Sequence, residues 1–189
     1  MSEYGASEYG ASEYGASAYG VSDHIRTAVV VGNPKPESRT LSAAMHVARE
    51  LTGAAPDLVV DLATLGTSLL DWHSEAVTDL VGQVGGADLV IVASPTYKGT
   101  YTGLLKVFLD RFAGGTGLRG LAVPMLLGAG PAHALAPELT LRPVLTELGA
   151  TVPGRGLYVL DSQYADPATY ELWLDATRPV VHALARAAA

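Results

Sequence analysis

The sequence predicts a doubly wound α/β fold, in which a five-stranded parallel sheet in the order 2-1-3-4-5 carries helices on both faces. Three observations point there. Five short runs, residues 28–31, 57–62, 88–93, 121–127 and 156–160, are apolar almost throughout, as strands covered on both faces must be. Segments with helical spacing follow them, and parallel neighbours need such crossovers. The first, third and fourth runs end in loops rich in Gly, Pro and polar residues, and ligands of doubly wound sheets sit at the carboxyl ends of strands beside the switch in strand order.

Residues 2–20 repeat SEYGA three times and close with SAYGV. A segment this poor in branched aliphatic residues cannot build a core, so residues 1–24 are expected to form a low-complexity, disordered tail, dispensable for catalysis, and residues 25–189 the folded domain. The alternative is that the evenly spaced Tyr4, Tyr9, Tyr14 and Tyr19 dock on a partner.

The first run, Ala28 to Val31, ends at Gly32, and Pro34 and Pro36 prevent helix before Glu37. Ser38, Arg39 and Thr40 then open a helix marked by Leu41, Ala44, Met45, Ala48 and Leu51. Hydroxyls and one guanidinium around open backbone N–H groups favour an anion, while Ser38 or Thr40 acting only as an N-cap is the alternative. Neither GxxxxGK[ST] nor GxGxxG is present, so the loop suits a phosphate monoester better than a triphosphate or a dinucleotide fingerprint.

The second strand, 57–62, leads to a helix over 74–84 with Ser74 as N-cap and Gly85 and Gly86 at its end. Trp72 and His73 before it either line a pocket or pin their loop to the core, the second being expected. The third strand runs into SPTYKGTYTGLLKVFLDRF, where Pro95 and Gly99 shape a tight loop and residues 101–112 read as a helix. That helix has more apolar residues than one buried stripe requires, which predicts a face for a second subunit. Pro124 in the fourth strand is expected near its start, at a bulge, or where pairing is incomplete. Pro137 and Pro143 predict a kinked or divided helix over 132–148, and Pro179 a kink in the closing helix, whose inner side is assigned to Leu172, Ala176 and Val180.

Composition excludes several functions. Nineteen acidic against twelve basic residues give a net charge of -7, which argues against neutralising a nucleic-acid backbone. The absence of cysteine removes disulfides and thiol chemistry, and the five histidines lack metal-ligand spacing. No apolar run reaches the ~20 residues of a membrane helix and no signal peptide is visible, so a soluble cytoplasmic protein is expected.

Three motifs in the right order, GNPKPESRT, SPTYKGTYTGLLKVFLD and GAGPAHALAPELTLRPVLTELGA, resemble those of the NAD(P)H-dependent FMN reductases of flavodoxin-like fold, chiefly the ones feeding two-component monooxygenases. The resemblance implies FMN and NAD(P)H as ligands, a homodimer or homotetramer, and a flavin-dependent monooxygenase as partner. It implies that Asn33, Ser38, Arg39 and Thr40 hold the flavin phosphate, that Pro95, Thr96, Tyr97 and Lys98 contact ribityl and isoalloxazine, and that Gly128, Ala129, Gly130 and His133 approach the ring. One departure is Leu139, where some members carry a tyrosine associated with a helical bulge and tetramer contacts. No catalytic acid or base is expected, because the cofactors supply the reactivity. Two other readings keep the fold: a flavin-retaining quinone or azo reductase, and a non-catalytic flavodoxin-like carrier.

Overall fold

In the computed structural model, which describes residues 24–188, five strands pair in parallel in the order β2-β1-β3-β4-β5. They are β1 (Thr27–Val31), β2 (Leu58–Asp61), β3 (Leu89–Pro95), β4 (Leu121–Gly128) and β5 (Leu157–Leu160). The helices are α1 (Arg39–Thr52), α2 (Glu75–Gly85), α3 (Gly103–Leu109), α4 (Arg142–Glu147) and α5 (Ala168–Ala188). The expected order is therefore the observed one. The pentapeptide repeat and the roles assigned to it lie outside the described residues.

β1 shows why the strand runs are unbroken. Val29 and Val31 pack with Ala44, Val47 and Leu51 of α1 and Leu174 and Val181 of α5. Ala28 and Val30 join the opposite cluster, with Val77 and Val84 of α2, Leu105 and Phe108 of α3, and Leu145 of α4. Alternate side chains point to opposite faces, so a sheet covered twice needs an apolar residue at every position.

Pro124 sits in the middle of β4 but lacks a neighbour on one side. Val92 of β3 stands opposite it, whereas pairing with β5 begins only at Met125. The Ala122 N–H points away from β3 to the Thr151 carbonyl at 2.9 Å, so two residues on, the missing donor of Pro124 faces the gap between Thr151 and Leu157. Incomplete pairing is what tolerates it.

The region over 132–148 divides as its prolines require. A turn of 3-10 helix (Pro131–His133) precedes a π-helical turn (Pro137–Leu141), and α4 follows with Pro143 in its first turn. The π turn contains Leu139, so the bulge forms here without the tyrosine that the resemblance associates with it.

Three expectations are corrected. Trp72 does not pin its loop to the core; it is 62% exposed, beside an exposed His73, and lies 5.1 Å from the Arg111 guanidinium. The buried side of α5 is Tyr170, Leu174, Thr177 and Val181, while Leu172, Ala176 and Val180 face outward. The helix read as 101–112 is shorter, Gly103–Leu109, with Leu105, Phe108, Leu109 and Phe112 buried and Leu104 and Val107 half-buried. α5 continues through Pro179 as one helix.

Candidate functional site

β1, β3 and β4 are neighbours, so the three glycine- and proline-rich loops that follow them meet at one end of the sheet. The first loop shapes itself by side-chain bonds. Asn33 Nδ2 donates to Thr40 Oγ1 at 3.1 Å, and Asn33 Oδ1 accepts the Lys35 N–H at 2.9 Å. Glu37 is left-handed (φ 51°) and donates its N–H to the Asp61 carboxylate at 3.0 Å. Ser38 is the N-cap of α1, its Oγ accepting from the Leu41 N–H at 3.3 Å. The N–H groups of Arg39 and Thr40 find no acceptor among the described residues. The Arg39 side chain is exposed, with its guanidinium 6.0 Å from the centre of the Tyr164 ring.

The second loop is a hairpin-like turn. Tyr97 and Thr100 exchange backbone hydrogen bonds of 2.8 and 3.3 Å, and Lys98 (φ 54°) and Gly99 (φ 85°) between them both take positive φ. Glycine adopts that geometry freely, lysine at a cost. Tyr97 and Lys98 project at the tip, while Pro95 is buried and the Thr96 N–H bonds the Leu127 carbonyl at 2.6 Å. Thr102 ties this loop to the first. Its Oγ1 donates to the Gly32 carbonyl at 2.5 Å and accepts the Leu105 N–H at 3.2 Å, and its own N–H reaches Ser94 Oγ at 3.0 Å. Gly32 permits the approach, since a Cβ there would collide with Leu105.

The third loop is braced from β5. The Tyr158 hydroxyl donates to the Gly130 carbonyl at 2.6 Å, and the Asp161 N–H donates to the Gly128 carbonyl at 2.9 Å. Gly128 must be glycine, because a Cβ would fall on the Tyr158 hydroxyl. Burial raises the Tyr158 pKa, with the nearby Thr96 hydroxyl acting weakly in the opposite sense, so the phenol stays a donor. Ala129 and His133 are exposed, and the His133 ring lies 3.7 Å from where a Gly99 Cβ would sit. Loops two and three thus touch.

Residues 25–165 match the NADPH-dependent FMN reductase family. The chain belongs to that family. It is 30% identical over 146 residues to the FMN reductase (NADPH) of Escherichia coli strain K12, covering 75% of this chain and 76% of the relative. It is 31% identical over 156 residues to the NADH-dependent FMN reductase SfnF of Pseudomonas fluorescens strain Pf0-1, covering 75% and 80%. The apo crystal structure of the NADH:FMN oxidoreductase EMOB superposes with a TM-score of 0.76 at 27% identity, over 85% of this chain and 90% of that one.

As a member of the FMN reductase family this protein is an oxidoreductase, with FMN and NAD(P)H as its substrates or cofactors. Its loops fit a flavin mononucleotide on their own evidence. Two α1 amides stand open for an anion, and Thr96 Oγ1 at the end of β3 is buried with no hydrogen-bond partner of good geometry. A ligand acceptor or donor there would satisfy it. Among the described residues no group of three His, Cys, Asp or Glu could hold a metal, and no helix is long and apolar enough to cross a membrane.

The fold brings together all twelve residues named from the sequence, at the ends of three adjacent strands. Asn33, Ser38 and Thr40 use their side chains to shape the loop, which leaves its open donors to the backbone. Sequence reasoning missed Thr102 and Tyr158. Thr102 precedes an apolar helical run, an N-cap signal that was available. Tyr158 reads as one more strand residue, and only the β4–β5 register places its hydroxyl under Gly130.

Proposed function

We propose that the protein transfers reducing equivalents from NAD(P)H to FMN held at these three loops and supplies reduced flavin to a partner monooxygenase. The carrying observation is the convergence of the loops after β1, β3 and β4, with open α1 amides at one end and the Thr96 and Gly128 region at the other. In this reading the Arg39 and Thr40 amides and the Arg39 guanidinium bind the phosphate, with Asn33 and Ser38 holding the loop. Pro95, Thr96, Tyr97 and Lys98 border ribityl and isoalloxazine. Gly128, Ala129 and Gly130 give the ring close access to backbone, and His133 closes the side next to Gly99.

When bound, the two cofactors would supply the chemistry, hydride transfer from the nicotinamide to N5 of the flavin. The chain's part is to position the rings, and no side chain is assigned as acid or base. Tyr158 holds its proton and keeps the third loop in place. The same reading includes a homodimer or homotetramer and a cytoplasmic location.

The test is steady-state oxidation of NADH and NADPH with free FMN in excess, followed by gel filtration to measure flavin retained. Continuous turnover with flavin released supports the proposal. Tightly retained flavin with electrons passed to a quinone or azo dye would replace it with the quinone reductase reading. Absence of any turnover by a flavin-bound protein would leave an electron carrier.

A further inference from the structure

A second cavity lies beside the phosphate loop and takes no part in the site described. It has a volume of about 330 Å³ and is lined by Ser42, His46, Tyr164, Ala165, Pro167 and Tyr170. That volume is in the lower part of the ~300–1,000 Å³ range of small-molecule sites. Ser42 and His46 stand one and two turns into α1 on the side that carries Arg39, and the tyrosines belong to the segment after β5 and the start of α5.

The lining has the chemistry of a nucleobase site. Tyr164 borders the cavity and has the guanidinium of Arg39, from the phosphate loop, 6.0 Å from the centre of its ring, so one cation of that loop stands near the cavity. Tyr170 is anchored by its hydroxyl on the Tyr164 carbonyl at 2.6 Å, and burial pushes its pKa up to about 12, so it keeps its proton. The His46 ring packs against Tyr170 with centroids 4.7 Å apart, and His46 Nε2 is buried without a hydrogen-bond partner. Among the described residues only Thr96 Oγ1, in the flavin site, shares that condition. Stacking on the half-buried Tyr164 ring plus an unpartnered ring nitrogen suits a flat heterocycle. Adjacency to the phosphate loop suits one joined to a phosphate.

We propose that this cavity receives the adenylate of a dinucleotide whose other half occupies the flavin site. The proposal rests on the reading of residues 33–40 as the flavin phosphate loop. Two molecules carry that adenylate: FAD, where it is joined to the flavin phosphate itself, and NAD(P)H.

Ser42→Trp, which fills the cavity from an exposed position, and Tyr164→Leu, which removes the stacking ring, test it. FMN and FAD dissociation constants are measured by flavin fluorescence, and Michaelis constants for NADH and NADPH at saturating FMN. The expected result is FMN affinity within twofold of wild type in both variants, with at least a fivefold loss elsewhere. A loss confined to FAD identifies the flavin dinucleotide, and one confined to the nicotinamide Michaelis constant identifies NAD(P)H. If FMN binds and neither constant moves, or if FMN weakens in parallel, the proposal is overturned. Wild type failing to bind FMN would instead overturn the flavin-site reading.

Discussion

Arg39 and Gly128 mark two kinds of functional residue, one whose charge is free to act and one that acts by having no side chain. Arg39 is exposed at the first turn of α1 beside two open amides. A charge-assisted hydrogen bond contributes about 1.5–3 kcal/mol, so Arg39→Ala is expected to weaken FMN roughly tenfold to a hundredfold. Riboflavin, which lacks the phosphate, should be little affected. Equal losses for the two flavins would make Arg39 a brace for its loop, and no loss for either would make it a solvated side chain. At Gly128 the deciding quantity is space. Gly128→Ala forces a methyl onto the Tyr158 hydroxyl, an overpacking that costs about 1–3 kcal/mol, and flavin affinity is expected to fall with stability. Adding Tyr158→Phe removes the clashing oxygen and should recover part of both. A double variant no better than Gly128→Ala would place the strain elsewhere.

At the scale of elements, the site depends on α3 being held against the end of β1. Thr102 does this with one hydroxyl, capping α3 through the Leu105 N–H while donating to the buried Gly32 carbonyl. Thr102→Val keeps the shape and removes both bonds. Losing a cap costs about 1 kcal/mol and leaving a buried carbonyl unpaired about 1–3 kcal/mol, so a loss of roughly 2–4 kcal/mol in unfolding free energy is expected. Urea denaturation measures it, and a loss under ~0.5 kcal/mol would show that water replaces the hydroxyl. α5 and the π turn show the opposite situation, with Leu172 86% and Leu139 70% exposed. The helical spacing of Leu172, Ala176 and Val180 is as regular as that of the buried side. Periodicity alone therefore cannot say which stripe meets the sheet.

For the whole molecule, two carboxylates fasten the start of the sheet and set its acid limit. Asp57 accepts the Thr27 N–H at 2.7 Å, and that bond, with His24 next, lowers its pKa. Asp88 is lowered chiefly by the Arg26 side chain, with burial opposing. In both cases the folded pKa lies below the unfolded one, so the stabilisation is complete above the unfolded carboxylate pKa of about 3.9 and is lost as pH falls through the folded value. Stability should therefore decline below about pH 4. Asp88→Asn is expected to flatten that decline, and an unchanged slope would remove Asp88 from the account. Light scattering at micromolar concentration is expected to give a dimer or tetramer mass. A monomer mass would end the oligomer reading.

The sequence by itself determined the order of elements, the parallel sheet and the loops that form the candidate site. Unbroken apolar runs occur where both faces of a strand are covered, as at Val29 to Val31, and the caps Ser38 and Ser74 are local signals read over a few residues. Only the tertiary structure decided what depends on distant partners. Trp72 is large and apolar yet lies outside, beside Arg111, whose guanidinium donates to the carbonyls of Asp71 and Trp72. Tyr158 reaches Gly130 across 28 positions in the chain, and Pro124 is tolerated because β5 joins β4 one residue too late to need its missing donor. Such contacts follow from strand register and helix rotation, which are set by packing the whole sheet at once rather than by any local run of residues.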